Sequence, residues 1–195
     1  MSILRDMMDR VRFEAHIRGA DTLTGAIIQT LNGVLREYTG RRRFDVLFMP
    51  DTALAPIGAG NGTFNLPADL QSLQKNGFQF TREGDFADAY PIRYSTDFYG
   101  TNDGWPNRLR RVGNTIVAYP YSDITTDSRV YINYWRFPIT LSTLSQSFEI
   151  PELEECVILQ TASRIARIDN SSLASDLSNR AKEAYMASFG PDPQR

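Results

Sequence analysis

Side chains able to do bond chemistry are sparse in this 195-residue chain. His16 is its one histidine and Cys156 its one cysteine. A histidine with no second imidazole and no cysteine beside it cannot nucleate a metal site. Neither residue has a clear partner for a Ser-His or Cys-His arrangement. The segment IGAGNGTF, Ile57 to Phe64, has the glycine density of a phosphate-binding loop. It lacks the strand before, the helix after and the Lys-Ser/Thr pair such a loop needs, so it reads as a flexible connector. Glu83, Asp85 and Asp88 lie close enough in sequence to hold a divalent ion, but they miss the EF-hand spacing and read as a solvated loop. These residues predict no catalytic site, no metal and no cofactor, and a protein that is not an enzyme.

The residue types that remain suit binding. Arg41, Arg42 and Arg43 follow a helical stretch, where they can meet a phosphate backbone or an acidic neighbour. The same triplet also complements the negative end of a helix, a purely structural role. Arg110-Arg111 is a second, weaker basic pair. Phe98, Tyr99 and Trp105 stand on a loop, Ser95 to Pro106, as a contact patch or as side chains folding back on a sheet. Only Lys75 and Lys182 among the 21 basic residues are lysines. Arginine is enriched at protein interfaces, although a skewed base composition produces the same bias.

Size and charge narrow the class. A chain of this length predicts one domain and buries roughly 70% of its unfolded surface, so it needs no metal or disulfide to fold. Cys156 falls in an apolar helix and reads as a small buried hydrophobe, consistent with a reducing cytosol. The net charge of −2 and a pI near 5.5 argue against gripping nucleic acid by bulk charge. No apolar run approaches the ~20 residues of a membrane span, and the N-terminus has no signal-peptide pattern.

These residues must be positioned by elements legible as periodicities. Helices are predicted over residues 2–18, with Gly19 as the stop, and from a cap at Asp21 or Thr22 to Gly40. Pro151 opens a third helix whose apolar residues cover most of its circumference, and Asn170, Ser171 or Ser172 caps a fourth that closes at Gly190-Pro191. Between them lie short strands around Thr63 to Leu66, Gly77 to Thr81, Tyr90 to Thr96, Asn107 to Val112, Thr115 to Tyr121 and Ser128 to Phe137. Gly113-Asn114 is a tight-hairpin signal between two of these strands. The expected fold is α+β: a helical bundle from the N- and C-terminal helices with an inserted antiparallel β region. Within one domain, 1–195, residues 1–48 are helical, 49–138 a β-rich insertion, 148–190 helical and 191–195 an extended tail.

The order of these signals resembles the head-to-tail adaptor, or connector, proteins of tailed bacteriophages. The resemblance rests on LTGAIIQTLNGVLREYTGRRRFDVLF, on the LPADL core from Leu66 to Leu70, and on YINYWRFPITLS followed by FEIPELEECVILQTA. It implies a structural virion protein that forms a homo-oligomeric ring, a dodecamer in the usual pattern, under the portal. The ring would join the capsid to the tail and extend the DNA channel. Its partners would be the portal protein and a tail or nozzle protein, with double-stranded DNA passing through unbound and no membrane involved. Assembly would take place in the host cytoplasm. Phe189, Gly190, Pro191, Asp192, Pro193, Gln194 and Arg195 would leave their own subunit as a portal-docking tail. Arg41, Arg42, Arg43, Phe98, Tyr99 and Trp105 are the candidate subunit or partner interface. Two other readings stay open: a helix-turn-helix protein with the arginine triplet on phosphate, and a β-rich tail module with Trp105 and Tyr99 as carbohydrate-stacking platforms.

Overall fold

A computed structural model describes residues 2–17, 23–96, 104–167 and 170–191. The chain divides into two compact units, Met1–Val46 with Phe137–Arg195 and, between them, Leu47–Arg136.

The first unit holds four helices among the described residues: α1 (Leu4–Glu14), α2 (Thr24–Arg41), α3 (Glu154–Ala166) and α4 (Ser171–Phe189). Leu4, Met7, Met8 and Val11 of α1 are buried at the i, i+3, i+4, i+7 spacing of one helical face. Burial on α3 runs almost all the way round, from Cys156 through Leu159 and from Thr161 through Ala166 apart from Arg164 and Ile165. That helix touches each of the other three and is the centre of the unit. Ala174, Leu177 and Ala181 let α4 approach α3 closely, and Ser163 Oγ donates to the Ala174 carbonyl at 2.7 Å. Pro151–Leu153 forms a single 3-10 turn ahead of α3, so the α-helix itself starts at Glu154.

Residues 137–150 lead into that turn and supply what the start of α1 lacks. The first amides of a helix have no intrahelical partner. Here Leu4 N donates to Gln146 O at 2.9 Å and Arg5 N to Leu144 O at 3.1 Å, while Ile3 and Ser147 form an isolated bridge. The far side of the segment is held by Asn32 of α2, whose Nδ2 donates to Leu141 O at 2.9 Å and whose Oδ1 accepts from Leu141 N at 2.8 Å. Leu141, Phe148 and Ile150 are buried beneath these bonds.

Helix α1 ends at Glu14, earlier than the periodicity predicts, and His16 is not helical. His16 takes φ +56°, its amide reaches Phe13 O, and the next amide, of Ile17, reaches Arg12 O. That pair of bonds is a Schellman cap, normally built on glycine and made here by a histidine. The stop expected at Gly19 and the cap expected at Asp21 or Thr22 lie outside the described residues. Helix α2 passes through Gly40 and ends at Arg41.

The second unit holds nine strands in two sheets among the described residues. They are β1 (Phe48–Leu54), β2 (Thr63–Asn65), β3 (Leu70–Leu73), β4 (Gln79–Thr81), β5 (Tyr90–Pro91), β6 (Arg93–Tyr94), β7 (Arg108–Val112), β8 (Thr115–Tyr119) and β9 (Arg129–Arg136). Strand β9 is the spine of the five-stranded sheet. It pairs antiparallel with β1 along one edge, and along the other with β4 at its start and β3 at its end. The second sheet runs β2-β8-β7-β6, antiparallel except for the parallel β6–β7 pair. Gly113-Asn114 makes the β7–β8 turn, with Gly113 at φ +61°. Phe64, Leu109 and Ile116 from one sheet and Phe80, Val130 and Ile132 from the other belong to one buried cluster.

Strands β1 and β3 fall where the sequence shows only loop and turn composition. In β1, Met49 pairs with Tyr134 and Thr52 with Ile132, so Pro50 and Asp51 together face Asn133. Two residues opposite one is a β-bulge, and a bulge is where a strand tolerates proline. Asp51 sits at φ +45°, and its amide donates to Asn133 Oδ1 at 2.7 Å. In the LPADL segment Leu66 and Leu70 are buried, and Asp69 Oδ1 accepts from the Tyr134 hydroxyl at 3.1 Å.

Candidate interaction surface

The arginine triplet and the C-terminal residues, read separately from the sequence, meet at one end of the helical unit. Phe189 is the last residue of α4 and is held from three sides. Arg42 donates to its carbonyl at 2.8 Å and lies 5.1 Å over its ring, Phe44 meets it edge-on at 5.6 Å, and Tyr185 sits 5.1 Å away. Gly190 closes the helix through its amide to Met186 O and turns the chain at φ +72°, leaving Pro191 exposed. Asp192, Pro193, Gln194 and Arg195 lie outside the described residues. Within the candidate tail, then, Phe189 is a fixed point, Gly190 turns the chain, and Pro191 lines the groove beside the junction.

Arg41 is committed to Glu37, which also takes Arg164 of α3. With Arg42 held on Phe189 and Arg41 on Glu37, two members of the triplet are engaged within their own subunit, and Arg41 and Arg43 are both exposed. Tyr38 stacks on Tyr185 at 5.2 Å beneath this layer. Burial, with Cys156 and Glu37 adding to it against Arg41 and Arg164, pushes the Tyr38 hydroxyl up to about 12.

A groove opens beside this junction in two connected parts. One, of about 360 Å³, is lined by Glu37, Arg41, Lys182, Tyr185 and Met186 among others. The other, of about 430 Å³, runs between α3 and α4 past Arg164, Arg167, Ser171 and Ser175, and the two share Gln160 and Ser178. Sequence reasoning missed Glu37, Arg164 and Lys182. The available signal was on α4, where Ser171, Ser175 and Ser178 recur at helical spacing and leave one face low.

The aromatic candidates belong to the other unit. Phe98 and Tyr99 lie outside the described residues. Trp105 is half-exposed, tilted 5.8 Å from the Tyr90 ring with the Arg82 guanidinium 5.8 Å from its own. Tyr90 donates to Pro106 O at 2.9 Å, and burial pushes its hydroxyl up to about 12.

The segments that resembled catalytic or cofactor motifs have structural duties. In Ile57–Phe64 the amides of Ile57 and Gly60 donate to Thr63 O and Ile124 O, and a Cβ on Gly62 would lie 2.5 Å from Ala118 O. Asp85 accepts from Ala87 N to cap a 3-10 turn, Phe86–Asp88. Among the described residues no three His, Cys, Asp or Glu side chains group as metal ligands, and no helix is long and apolar enough to cross a membrane.

Over residues 2–191 the sequence matches the family described as SU10 adaptor protein. The chain belongs to that family. No curated protein matches it. The family is one of phage head-tail adaptors, so the adaptor is a structural virion protein of a bacteriophage, working at the junction of head and tail. The match extends through both helical ends and the whole β region, including the LPADL and aromatic-Pro segments that first carried the resemblance. Portal and tail proteins are the partners this role implies, together with assembly of several copies.

Proposed function

We propose that the adaptor closes into a ring of twelve copies beneath the portal, joins the capsid to the tail and lengthens the channel through which DNA passes. The helical unit builds the ring body, and the β unit reaches toward the tail or a neighbouring copy. The chain does no catalysis. DNA passes without specific binding, which calls for an acidic or neutral inner wall, because a basic wall would hold the phosphates. Assembly takes place in the host cytoplasm, and the finished protein resides in the virion.

The observation that carries this reading is the end of α4. A helix terminus clamped by Arg42, Phe44 and Tyr185 and followed at once by a glycine turn supports a rigid base for the residues that come after it. We assign those residues, from Gly190 onward, to docking on the portal. Deleting Pro191 to Arg195 leaves the Phe189 clamp and the Gly190 cap of α4 in place. The truncated chain should keep the melting temperature of the full chain and lose co-sedimentation with cognate portal rings. Undiminished attachment would overturn the assignment. Salt-sensitive duplex binding that vanishes on substitution of Arg41 to Arg43 would replace the whole reading with a nucleic-acid-binding one.

A further inference from the structure

Among the described residues, the groove of the helical unit is lined by more cations than carboxylates. Arg41, Arg164, Arg167 and Lys182 line it against one carboxylate, Glu37, which Arg41 and Arg164 already share. Lys182 and Arg167 make no ion pair among the described residues. Its floor is apolar at one end, where Tyr185 lies buried and Met186 is 55% exposed. An occupant must therefore be acidic, carry a large apolar side chain and be narrow enough to enter between two helices.

The β unit presents such a segment. In Glu83-Gly84-Asp85-Phe86-Ala87-Asp88 all three carboxylates are exposed, and Phe86 keeps 43% of its surface in solvent. The Glu83 and Asp88 carboxylates have no partner among the described residues, and the Asp85 carboxylate has only the capping bond from Ala87 N. The loop is not slack. Phe86 meets Tyr131 edge-on at 4.7 Å, and the Tyr131 hydroxyl donates to Gly84 O at 2.9 Å. A segment already shaped loses little freedom on docking.

We infer that the Glu83–Asp88 loop of one copy docks in the α3/α4 groove of another, with its carboxylates on Arg41, Arg164, Arg167 and Lys182 and Phe86 over Met186 and Tyr185. The two surfaces are different patches of one chain, so the contact is head-to-tail and propagates around an assembly. This rests on the reading that copies assemble, and it names the contact by which they do.

Cross-linking in the full chain tests it. Cys156 is buried with its thiol pushed up to about 11, so it stays silent. An Ala87→Cys chain mixed with a Ser178→Cys chain and a short bis-maleimide keeps Phe86 and Met186 and should give an interchain product about tenfold above a control pair of Ala87→Cys and Phe13→Cys, as expected for a charge-steered contact. The yield should fall with added salt. Arg164→Glu with Arg167→Glu on the groove chain should abolish the product, and Glu83→Arg with Asp88→Arg on the loop chain should restore it. A yield equal to the control, or one indifferent to the charge reversals, overturns the contact. A chain that forms rings on the portal without this product refutes the contact and leaves the ring reading intact. A chain that gives the product yet never closes on the portal does the reverse.

Discussion

Asn32 shows how much one polar side chain carries in this protein. Both ends of its amide are spent on the backbone of Leu141, so it acts as a short piece of sheet between α2 and the segment leading to α3. Asn32→Ala strands a donor and an acceptor and should cost about 1–3 kcal/mol. The check is a fall in denaturation midpoint together with faster hydrogen exchange at the Leu141 amide; unchanged exchange there would refute the role. Nothing in the sequence near Asn32 announces it, because its partner lies 109 residues away. The same holds for Arg42 and Phe189. Each was legible by type, one as a basic residue at a helix end and the other as the last aromatic, but their pairing depends on how α2 and α4 pack. The Schellman cap at His16 was hidden for another reason, since the pattern favours glycine at that position.

Among the elements, those with a clean period were the easiest to read. Helix α3 follows from apolar residues on nearly every face after Pro151, and β9 from apolar residues on both faces before Pro138. Strand β1 was not legible because Pro50 and Asp51 break its alternation, and only the bulge opposite Asn133 makes them compatible with pairing. That geometry predicts opposite signs for two substitutions. Asn133→Ala removes the acceptor of the Asp51 amide and should destabilise by about 1 kcal/mol. Asp51→Gly relieves a non-glycine residue at φ +45° and should be neutral or stabilising by up to about 1 kcal/mol. Paired urea titrations of the two variants decide it, and a destabilised Asp51→Gly would sink the account of the bulge. The fourth helix was legible as an element, yet its groove was not, because depth comes from the neighbour it leaves uncovered.

At the scale of the molecule, four weak acids, three buried and Tyr90 half-buried, shape its alkaline limit. Burial pushes Cys156 from 9.0 to about 11 and Tyr38, Tyr90 and Tyr134 from 10.0 to about 12, with Asp69 adding to the shift of Tyr134. All four are raised in the folded chain, so the folded state holds their protons more tightly than the unfolded one. Their contribution is complete below about pH 9 and is lost progressively as the pH climbs through 12. Melting temperatures measured from pH 8 to 11.5 should decline above pH 9, and Tyr38→Phe should flatten the upper part of that decline. A slope unaffected by Tyr38→Phe would count against its burial. The family was legible at this scale because it is written in the order of segments, which survives where no single motif is specific.

The central position of α3 has a consequence for synthesis. Leu4, Met7, Met8 and Val11 are covered only once α3 is present, and Glu154 is translated long after Arg41. During synthesis the first two helices are therefore a greasy pair without a floor, and the entire β unit is translated before that floor is made. The chain's two ends are a lock whose key is cut last.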